Sequence, residues 1–167
     1  LPFLYEDSTV FVGETASIVN EILLTQYLIK NSQSDEEKIY YLSLEIENYF
    51  TSVFKQTMDT EFEDELYDYC QSEELTAPIL ADKYFEIIKK YYGEDVIYDK
   101  EIETEWTRLG RLWRWSYYSY KYATGLLIAS NVVNALTIEH TLTNEKYMKF
   151  LEAGSSLYSL ELLNLLN

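Results

Sequence analysis

The amino-acid sequence predicts an all-α fold, a helical bundle of amphipathic helices. Only 5 of the 167 residues are glycine and 2 are proline, so few positions interrupt a helix. Apolar residues recur three and four positions apart through most of the chain, which is the spacing of one helix face. Strand-like runs do not alternate with helices, so we do not expect a doubly wound parallel sheet.

The first predicted helix begins after Ser8 or Thr9, whose side chains can cap its free amide groups, and runs to about Lys30. A polar break over residues 31–34 follows it. The helix is recognised by apolar side chains that repeat at intervals of three and four, namely Val12, Ala16, Val19, Leu23 and Tyr27.

A second helical stretch begins at Ser34, which forms a capping-box pattern with Glu37, and it continues to about Cys70 with room for one interruption. A third helix is predicted between Thr76 and Gly93. It has proline in its first turn, where a missing amide hydrogen costs nothing, and glycine at its end.

The remaining elements are also predicted as helices. Residues 100–108 have a helical pattern, and Gly110 marks a bend. Residues 115–138 form the next predicted helix. A helix over 143–153 is capped by its first or second residue, and a very apolar helix over 158–166 ends the chain.

Composition excludes several classes of function. A formal net charge of -16 disfavours binding to nucleic acid or to an anionic membrane; it favours a solvated surface, with attraction for basic peptides as a weaker alternative.

Cys70 is the only cysteine, which excludes an intrachain disulfide and fits a reducing, cytoplasmic setting. The least polar stretch, 123–136, is too short to span a bilayer. The first residue is Leu1 and not methionine, which suggests a fragment.

Two acidic residues on the first predicted helix are candidates for a metal site. Glu14 and Glu21 are seven positions apart, so they share one helix face, and Ser17 lies between them. A carboxylate that faces a packed interior needs a metal, a cation or several hydrogen bonds. The alternative is a pair of solvent-facing acids on an amphipathic helix, and periodicity alone favours that alternative.

An aromatic block and a set of arginines are the other candidates. Tyrosine hydroxyls can donate to an oxyanion, and aromatic rings can line a peptide groove. The alternative is ordinary core packing in a chain with 17 tyrosines. The block consists of Trp113, Trp115, Tyr117, Tyr118, Tyr120 and Tyr122.

The arginines Arg108, Arg111 and Arg114 recur every three positions. They could bind a peptide carboxylate through two parallel hydrogen bonds, or pair with neighbouring acids. The single histidine, His140, has no second histidine or cysteine nearby, so we do not expect it to bind metal. No glycine-rich phosphate loop, G-x-S-x-G turn or C-x-x-C pair occurs.

Five segments, in order along the chain, resemble oligoendopeptidase F, a zinc metallopeptidase family related to thimet oligopeptidase. The resemblance covers nearly all of the chain. It is carried by residues 4–21 (LYEDSTVFVGETASIVNE), 53–63 (VFKQTMDTEFE), 89–93 (KKYYG), 118–125 (YSYKYATG) and 150–156 (FLEAGSS).

This resemblance implies that residues 1–167 form the C-terminal portion of a helical peptidase catalytic domain. Glu14 matches the third zinc ligand of the family, and Glu21 lies where an acid could support the ligands. Tyr117 and Tyr120 match the tyrosines of a cleft helix that stabilises the tetrahedral intermediate. Tyr118 and Arg111 are the expected contacts to a short peptide substrate.

The sequence departs from the family in two places. The H-E-x-x-H motif, which provides two zinc-binding histidines and a general base, is absent, so the chain alone should be inactive and should not bind zinc tightly. The family places that motif shortly before Leu1, so the expected partner is a missing N-terminal part of the same protein.

The second departure is the lack of a histidine just before the tyrosine block, where the chain reads Gly110-Arg111-Leu112. This departure favours an alternative: a catalytically inactive helical module, derived from such a peptidase, that binds peptides or other proteins. A purely structural helical domain is a third alternative. An H-E-x-x-H motif immediately upstream of Leu1 would decide for the peptidase.

Overall fold

The computed structural model of the protein describes residues 2–5, 10–110 and 112–166. Across these ranges the chain is predominantly helical and has no β-strand, which confirms the predicted all-α fold. The α-helices are α1 (Val10–Asn31), α2 (Asp35–Tyr49), α3 (Gln56–Tyr69), α4 (Ala77–Tyr92), α5 (Tyr120–Thr137), α6 (Asn144–Glu152) and α7 (Ser159–Leu163). Helices of the 3-10 type span Phe3–Tyr5, Lys100–Arg108 and Asn164–Leu166.

Local sequence signals set several helix ends as predicted. The Ser34 hydroxyl accepts a hydrogen bond from the amide of Glu37 at 3.2 Å and caps α2. Thr143 caps α6 in the same way, through the amide of Lys146. Gly93, with φ 85°, ends α4 in a conformation that side chains disfavour. The predicted caps of α1, Ser8 and Thr9, lie outside the described residues.

The segments Phe50–Lys55 and Lys100–Arg108 differ in type from the α-helices that their sequence patterns predict. The second predicted stretch is divided by a π-helical segment, Phe50–Lys55, which is the single interruption that the sequence allowed. Residues Lys100–Arg108 form a 3-10 helix and not an α-helix. The sequence pattern therefore predicted a helix correctly at this position but not its hydrogen-bond register.

The predicted helix over 115–138 is wrong at its start, because α5 begins only at Tyr120. Residues 115–119 form turns. Tyr117 has φ 52°, in the left-handed region, and its amide donates to the side chain of Glu63 and not to a helix carbonyl. A contact with α3 therefore overrides the local helical pattern.

The chain forms two compact units. The first contains the described residues up to Phe50 and from Lys121 onward, and the second contains Thr51–Tyr120. In the first unit α1 contacts both α2 and α7. Its buried apolar side chains come from α1, α5, α6, α7 and the turn before α6: Val12, Ile18, Val19, Ile22, Leu126, Ala129, Val132, Val133, Leu142, Tyr147, Phe150 and Leu162.

The second unit has its own core between α3 and α4, and the 3-10 helix Lys100–Arg108 packs on α4. The rings of Phe62 and Tyr84 meet edge to face with centroids 5.0 Å apart. The buried core residues are Met58, Phe62, Leu66, Leu80, Tyr84, Ile87 and Ile88. In the described part of the chain, no helix is both long enough and apolar enough to cross a bilayer.

Candidate functional site

Glu14 lies on α1 in the first unit and is half-buried. The hydroxyl of Ser17, one turn later, donates to the backbone carbonyl of Glu14 at 2.9 Å and is 3.5 Å from its Oε2. Glu21 is exposed, two turns beyond Glu14. Because α1 is continuous between them, the two acids share one side of the helix, as their spacing predicted.

Helix α5 passes α1 at the position of Glu14. Gly125 of α5 is buried, and it has Glu14, Thr15 and Ile18 as its nearest neighbours on α1. Glu14 is therefore attached to a packed part of the helix and not to a fraying end. A rigid backbone restricts where its carboxylate can lie, and a metal ligand requires such restriction.

The donor groups of the described residues fit a contribution to a zinc site, but among themselves they do not make a complete one. Zinc sites in enzymes use three protein ligands from histidine, cysteine and acidic side chains. No cluster of three such residues occurs within the described ranges. His140 is exposed in the turn that follows α5. Glu14 can thus supply one oxygen ligand, and the other ligands would have to come from elsewhere.

Tyr117 belongs to the second unit and is held by residues of α3. Its hydroxyl donates to Oδ1 of Asp64 at 2.8 Å, and its ring stacks on that of Tyr67 with centroids 5.4 Å apart. The hydrogen bond to Asp64 raises the pKa of Tyr117 to about 12. Tyr117 is 36% exposed, so its ring remains accessible from solvent.

The other predicted substrate-facing residues have different positions. Tyr118 is half-buried and its ring lies 5.8 Å from that of Trp115. Tyr120 is 37% exposed at the first position of α5, so it is the only one of the three proposed tyrosines on a helix. Arg111 lies outside the described residues. Arg108 is 3.8 Å from Glu105, so that arginine pairs with an acid.

Comparisons with known proteins identify the family. Residues 2–167 match peptidase family M3.

This chain belongs to peptidase family M3.

Among the relatives of this M3 chain, oligopeptidase PepF from Bacillus subtilis is 37% identical over 163 residues, which cover 97% of the chain and 24% of the relative. An oligoendopeptidase F homolog from Borreliella burgdorferi is 34% identical over 98% of the chain and 28% of the relative. The crystal structure of oligoendopeptidase-F from Enterococcus faecium superposes with a TM-score of 0.75 at 29% identity, over 95% of the chain and 31% of that structure. The M3 chain therefore spans about a quarter of the length of the curated relatives, 24% and 28% of the two named here.

Sequence reasoning missed the two acids of α3 that hold the tyrosine segment of this M3 chain, Glu63 and Asp64. Glu63 is 2% exposed and lines a cavity of about 290 Å³ in the second unit. The same cavity is lined by Lys55, Asp59, Glu105, Arg108 and Ser119, among others. The signal was present in the sequence. Glu63 is followed three positions later by the core residue Leu66, so it lies on the apolar face of α3, where an acid needs a partner.

Proposed function

We propose that this chain is part of a zinc-dependent oligoendopeptidase that hydrolyses short peptides in the cytoplasm. The observation that carries the proposal is the match to peptidase family M3 along residues 2–167. Because the chain spans only about a quarter of its relatives, 24% of PepF from Bacillus subtilis, the active enzyme on this proposal is a longer protein.

Glu14 is the zinc ligand that this chain contributes on the proposal. Its position where α1 packs against α5, with the Ser17 hydroxyl 3.5 Å from Oε2, supports an oriented carboxylate. Two histidines and a general-base glutamate of an H-E-x-x-H motif would come from the rest of the protein. When bound, zinc activates water and polarises the peptide carbonyl. Glu21, on the same side of α1, would support the ligand set through charge and hydrogen bonds.

The tyrosines act on the substrate on this proposal. Tyr117 and Tyr120 donate hydroxyl hydrogens to the oxygen that becomes negative when a peptide carbonyl is attacked. Tyr118 and Arg111 contact the peptide chain. Tyr117 already donates its one hydroxyl hydrogen to Asp64, so it must exchange this partner before it can donate to a substrate.

The experiment uses the longer protein and the isolated 167-residue chain in parallel. The sequence upstream of Leu1 is read first, and an H-E-x-x-H motif is expected there. Bound zinc and cleavage of a fluorogenic oligopeptide are then measured for the unmodified protein and three variants. Glu14→Ala should lose zinc affinity by orders of magnitude and lose activity with it, because the number and charge of ligands set metal affinity.

Two further variants act as controls. Glu21→Ala should weaken zinc binding or activity only about 10- to 100-fold, which is typical for a residue that supports a ligand. Arg111→Ala should leave the zinc content unchanged. The isolated chain should show neither turnover nor tight zinc binding.

Two results would contradict the proposal. If Glu14→Ala retains its zinc and its turnover, Glu14 is not a ligand. If the upstream sequence lacks H-E-x-x-H and the longer protein has no peptidase activity, the inactive peptide-binding module becomes the better account of the exposed aromatic side chains Trp113 and Trp115.

A further inference from the structure

Tyr117 adopts a backbone conformation that it would not choose by itself. Its φ of 52° lies in the left-handed region, where the β-carbon of a bulky residue crowds the following carbonyl oxygen. Such conformations persist where surrounding contacts determine them, and they concentrate at functional positions. Contacts with surrounding residues must therefore hold Tyr117 in this conformation.

The backbone of Tyr117 is fixed by the side chain of Glu63. The Tyr117 amide donates to Oε1 of Glu63 at 2.8 Å. Glu63 is almost completely buried, and a buried carboxylate is stable only when hydrogen-bonded or paired. Each group therefore satisfies the other. Burial raises the pKa of Glu63 above its ordinary value, while the bond from the Tyr117 amide opposes that rise.

The ring of Tyr117 is held separately, by neighbours of Glu63 on α3. Asp64 accepts the Tyr117 hydroxyl hydrogen, and Tyr67 stacks on the ring. The hydroxyl of Tyr67 in turn lies 2.7 Å from Oγ of Ser116, the residue before Tyr117. One face of α3 thus contacts the backbone, the ring and the hydroxyl of the same tyrosine.

The two acids hold groups with different freedom to move. A substrate can compete with Asp64 for the hydroxyl of Tyr117, because the tyrosine is partly exposed. The amide of Tyr117 donates to a buried carboxylate, so this hydrogen bond remains when the hydroxyl changes its hydrogen-bond partner. We infer that Glu63 is a positioning residue. It fixes the backbone of Tyr117, so the segment stays in position while the tyrosine hydroxyl exchanges its hydrogen bond to Asp64 for one to the substrate.

This inference rests on the proposed peptidase function, in which Tyr117 donates to the substrate. It assigns Glu63 no contact with the peptide. A merely structural role for Glu63 would lower stability in general, whereas a positioning role links the Tyr117 amide bond to the catalytic rate constant kcat. The two roles can be separated by comparing substitutions that keep or remove the acceptor oxygen.

The first measurement is hydrogen exchange at the Tyr117 amide in the 167-residue chain, followed by NMR or mass spectrometry. Glu63→Gln keeps a carbonyl oxygen that can accept the amide hydrogen, so protection should remain. Glu63→Leu has similar bulk but no acceptor, and exchange at Tyr117 should accelerate by about 10-fold or more, since a bond to a charged acceptor is lost. Asp64→Asn is the matched control, because it alters the partner of the hydroxyl and should leave amide protection unchanged.

The second measurement is steady-state peptide hydrolysis by the longer protein with the same substitutions. Glu63→Leu should reduce kcat about 10-fold or more with little change in KM, because the lost preorganisation concerns the transition state. Glu63→Gln should restore most of the rate. If Glu63→Leu does not fold, Glu63→Asp replaces it, since the shorter side chain withdraws the acceptor oxygen from the amide.

The outcomes distinguish the inference from the function on which it rests. If the Tyr117 amide is as well protected in Glu63→Leu (or in Glu63→Asp, where that replaces it) as in the unmodified chain, the positioning role is wrong. If the same variant loses amide protection at Tyr117 but keeps its kcat, the hydrogen bond from Tyr117 to Glu63 does not contribute to catalysis. Lost protection in a longer protein that has no peptidase activity even when unmodified would overturn the proposed function, while the hydrogen bond itself would stand.

Discussion

Gly125 lies directly against Glu14: a β-carbon placed on this glycine would be 3.5 Å from Cβ of Glu14 and 3.2 Å from Cδ1 of Ile18. The first distance is an ordinary contact and the second is tight. At this glycine α5 therefore lies close against α1, beside the proposed zinc ligand. The side-chain size at Gly125 is coupled to the position of Glu14, even though the two residues are far apart in the sequence.

Substitution of Gly125 should show this coupling. Gly125→Ala should change the free energy of unfolding by less than about 1 kcal/mol, because a gain of about 1 kcal/mol in helix propensity offsets the displacement of the flexible end of Ile18. Gly125→Leu should lower the free energy of unfolding by about 2 kcal/mol or more, because the larger side chain must push the helices apart. Urea unfolding of the chain measures both.

The control for this pair is Asn131→Leu, which adds bulk to an exposed position of α5. It should alter the free energy of unfolding by no more than about 0.5 kcal/mol, as surface substitutions usually do. A Gly125→Leu protein as stable as the unmodified chain would show that α1 and α5 are not closely packed at Glu14.

Two tyrosines of α4 should respond in opposite ways to loss of the hydroxyl. Tyr84 is fully buried, and its hydroxyl has no hydrogen-bond partner among the described residues. Tyr91 donates to Oε2 of Glu61 at 2.8 Å. Tyr84→Phe should raise the free energy of unfolding by about 1 kcal/mol, and Tyr91→Phe should lower it by about 1 kcal/mol. Thermal and urea unfolding measure the difference, and Tyr84→Phe proving the more damaging change would contradict the assignment.

Sequence reasoning predicted the features whose causes are local. Ser34 caps α2 through the amide of Glu37, which is three residues later. Gly93 directly follows α4 and ends it. Both signals act within one turn of helix, so the sequence window that predicts them also contains their cause. The rhythm of apolar residues in α1 likewise predicted a helix whose bounds agree closely with the structure.

The start of α5 could not be predicted in this way. The amide of Tyr117 is bonded to Glu63, which precedes it by 54 positions, so no local pattern around Tyr117 contains the cause of its conformation. The same holds for Gly125, whose neighbours on α1 are more than a hundred positions away in the sequence. For Glu14, periodicity alone favoured a solvent-facing acid, and only the family resemblance suggested a ligand.

Glu61 should stabilise the fold at neutral pH and not in acid. Hydrogen bonds from Lys90 and Tyr91 lower the pKa of Glu61, so the folded state releases this proton more readily than the unfolded state. The stabilisation is complete above the ordinary value of 4.5 and is lost as the pH falls through the lowered pKa. Glu61→Gln should therefore lower the free energy of unfolding at pH 7 by about 1 kcal/mol, because this partly exposed site loses one charge-assisted bond.

The measurement is urea unfolding of both proteins from pH 7 to pH 3, where their stabilities should converge. Asp82→Asn removes an exposed acid from the neighbouring helix and serves as the control. A constant difference between Glu61→Gln and the unmodified chain across this pH range would contradict the role of the ion pair.

Glu63, two residues later on α3, should behave in the opposite sense. Burial raises its pKa above 4.5, and the nearby charge of Asp64 adds to the rise, so the folded state binds this proton more readily than the unfolded state. Between 4.5 and the raised pKa, stability therefore falls as the pH rises, and at neutral pH the buried charge destabilises the fold. Glu63→Gln removes the charge but keeps an acceptor for the Tyr117 amide, so the variant should be at least as stable as the unmodified chain at pH 7.

The comparison requires the same urea series, extended down to pH 4. The advantage of Glu63→Gln at pH 7 should shrink as the pH falls, because the unmodified carboxyl becomes neutral as well. Glu61→Gln, measured beside it, should have a lower free energy of unfolding than the unmodified chain at pH 7, and this difference should also shrink toward low pH. The two variants should thus differ from the unmodified chain with opposite signs. If Glu63→Gln is less stable at pH 7 and gains relative to the unmodified chain on acidification, the charged carboxylate stabilises the segment around Tyr117 and its burial is not the dominant effect.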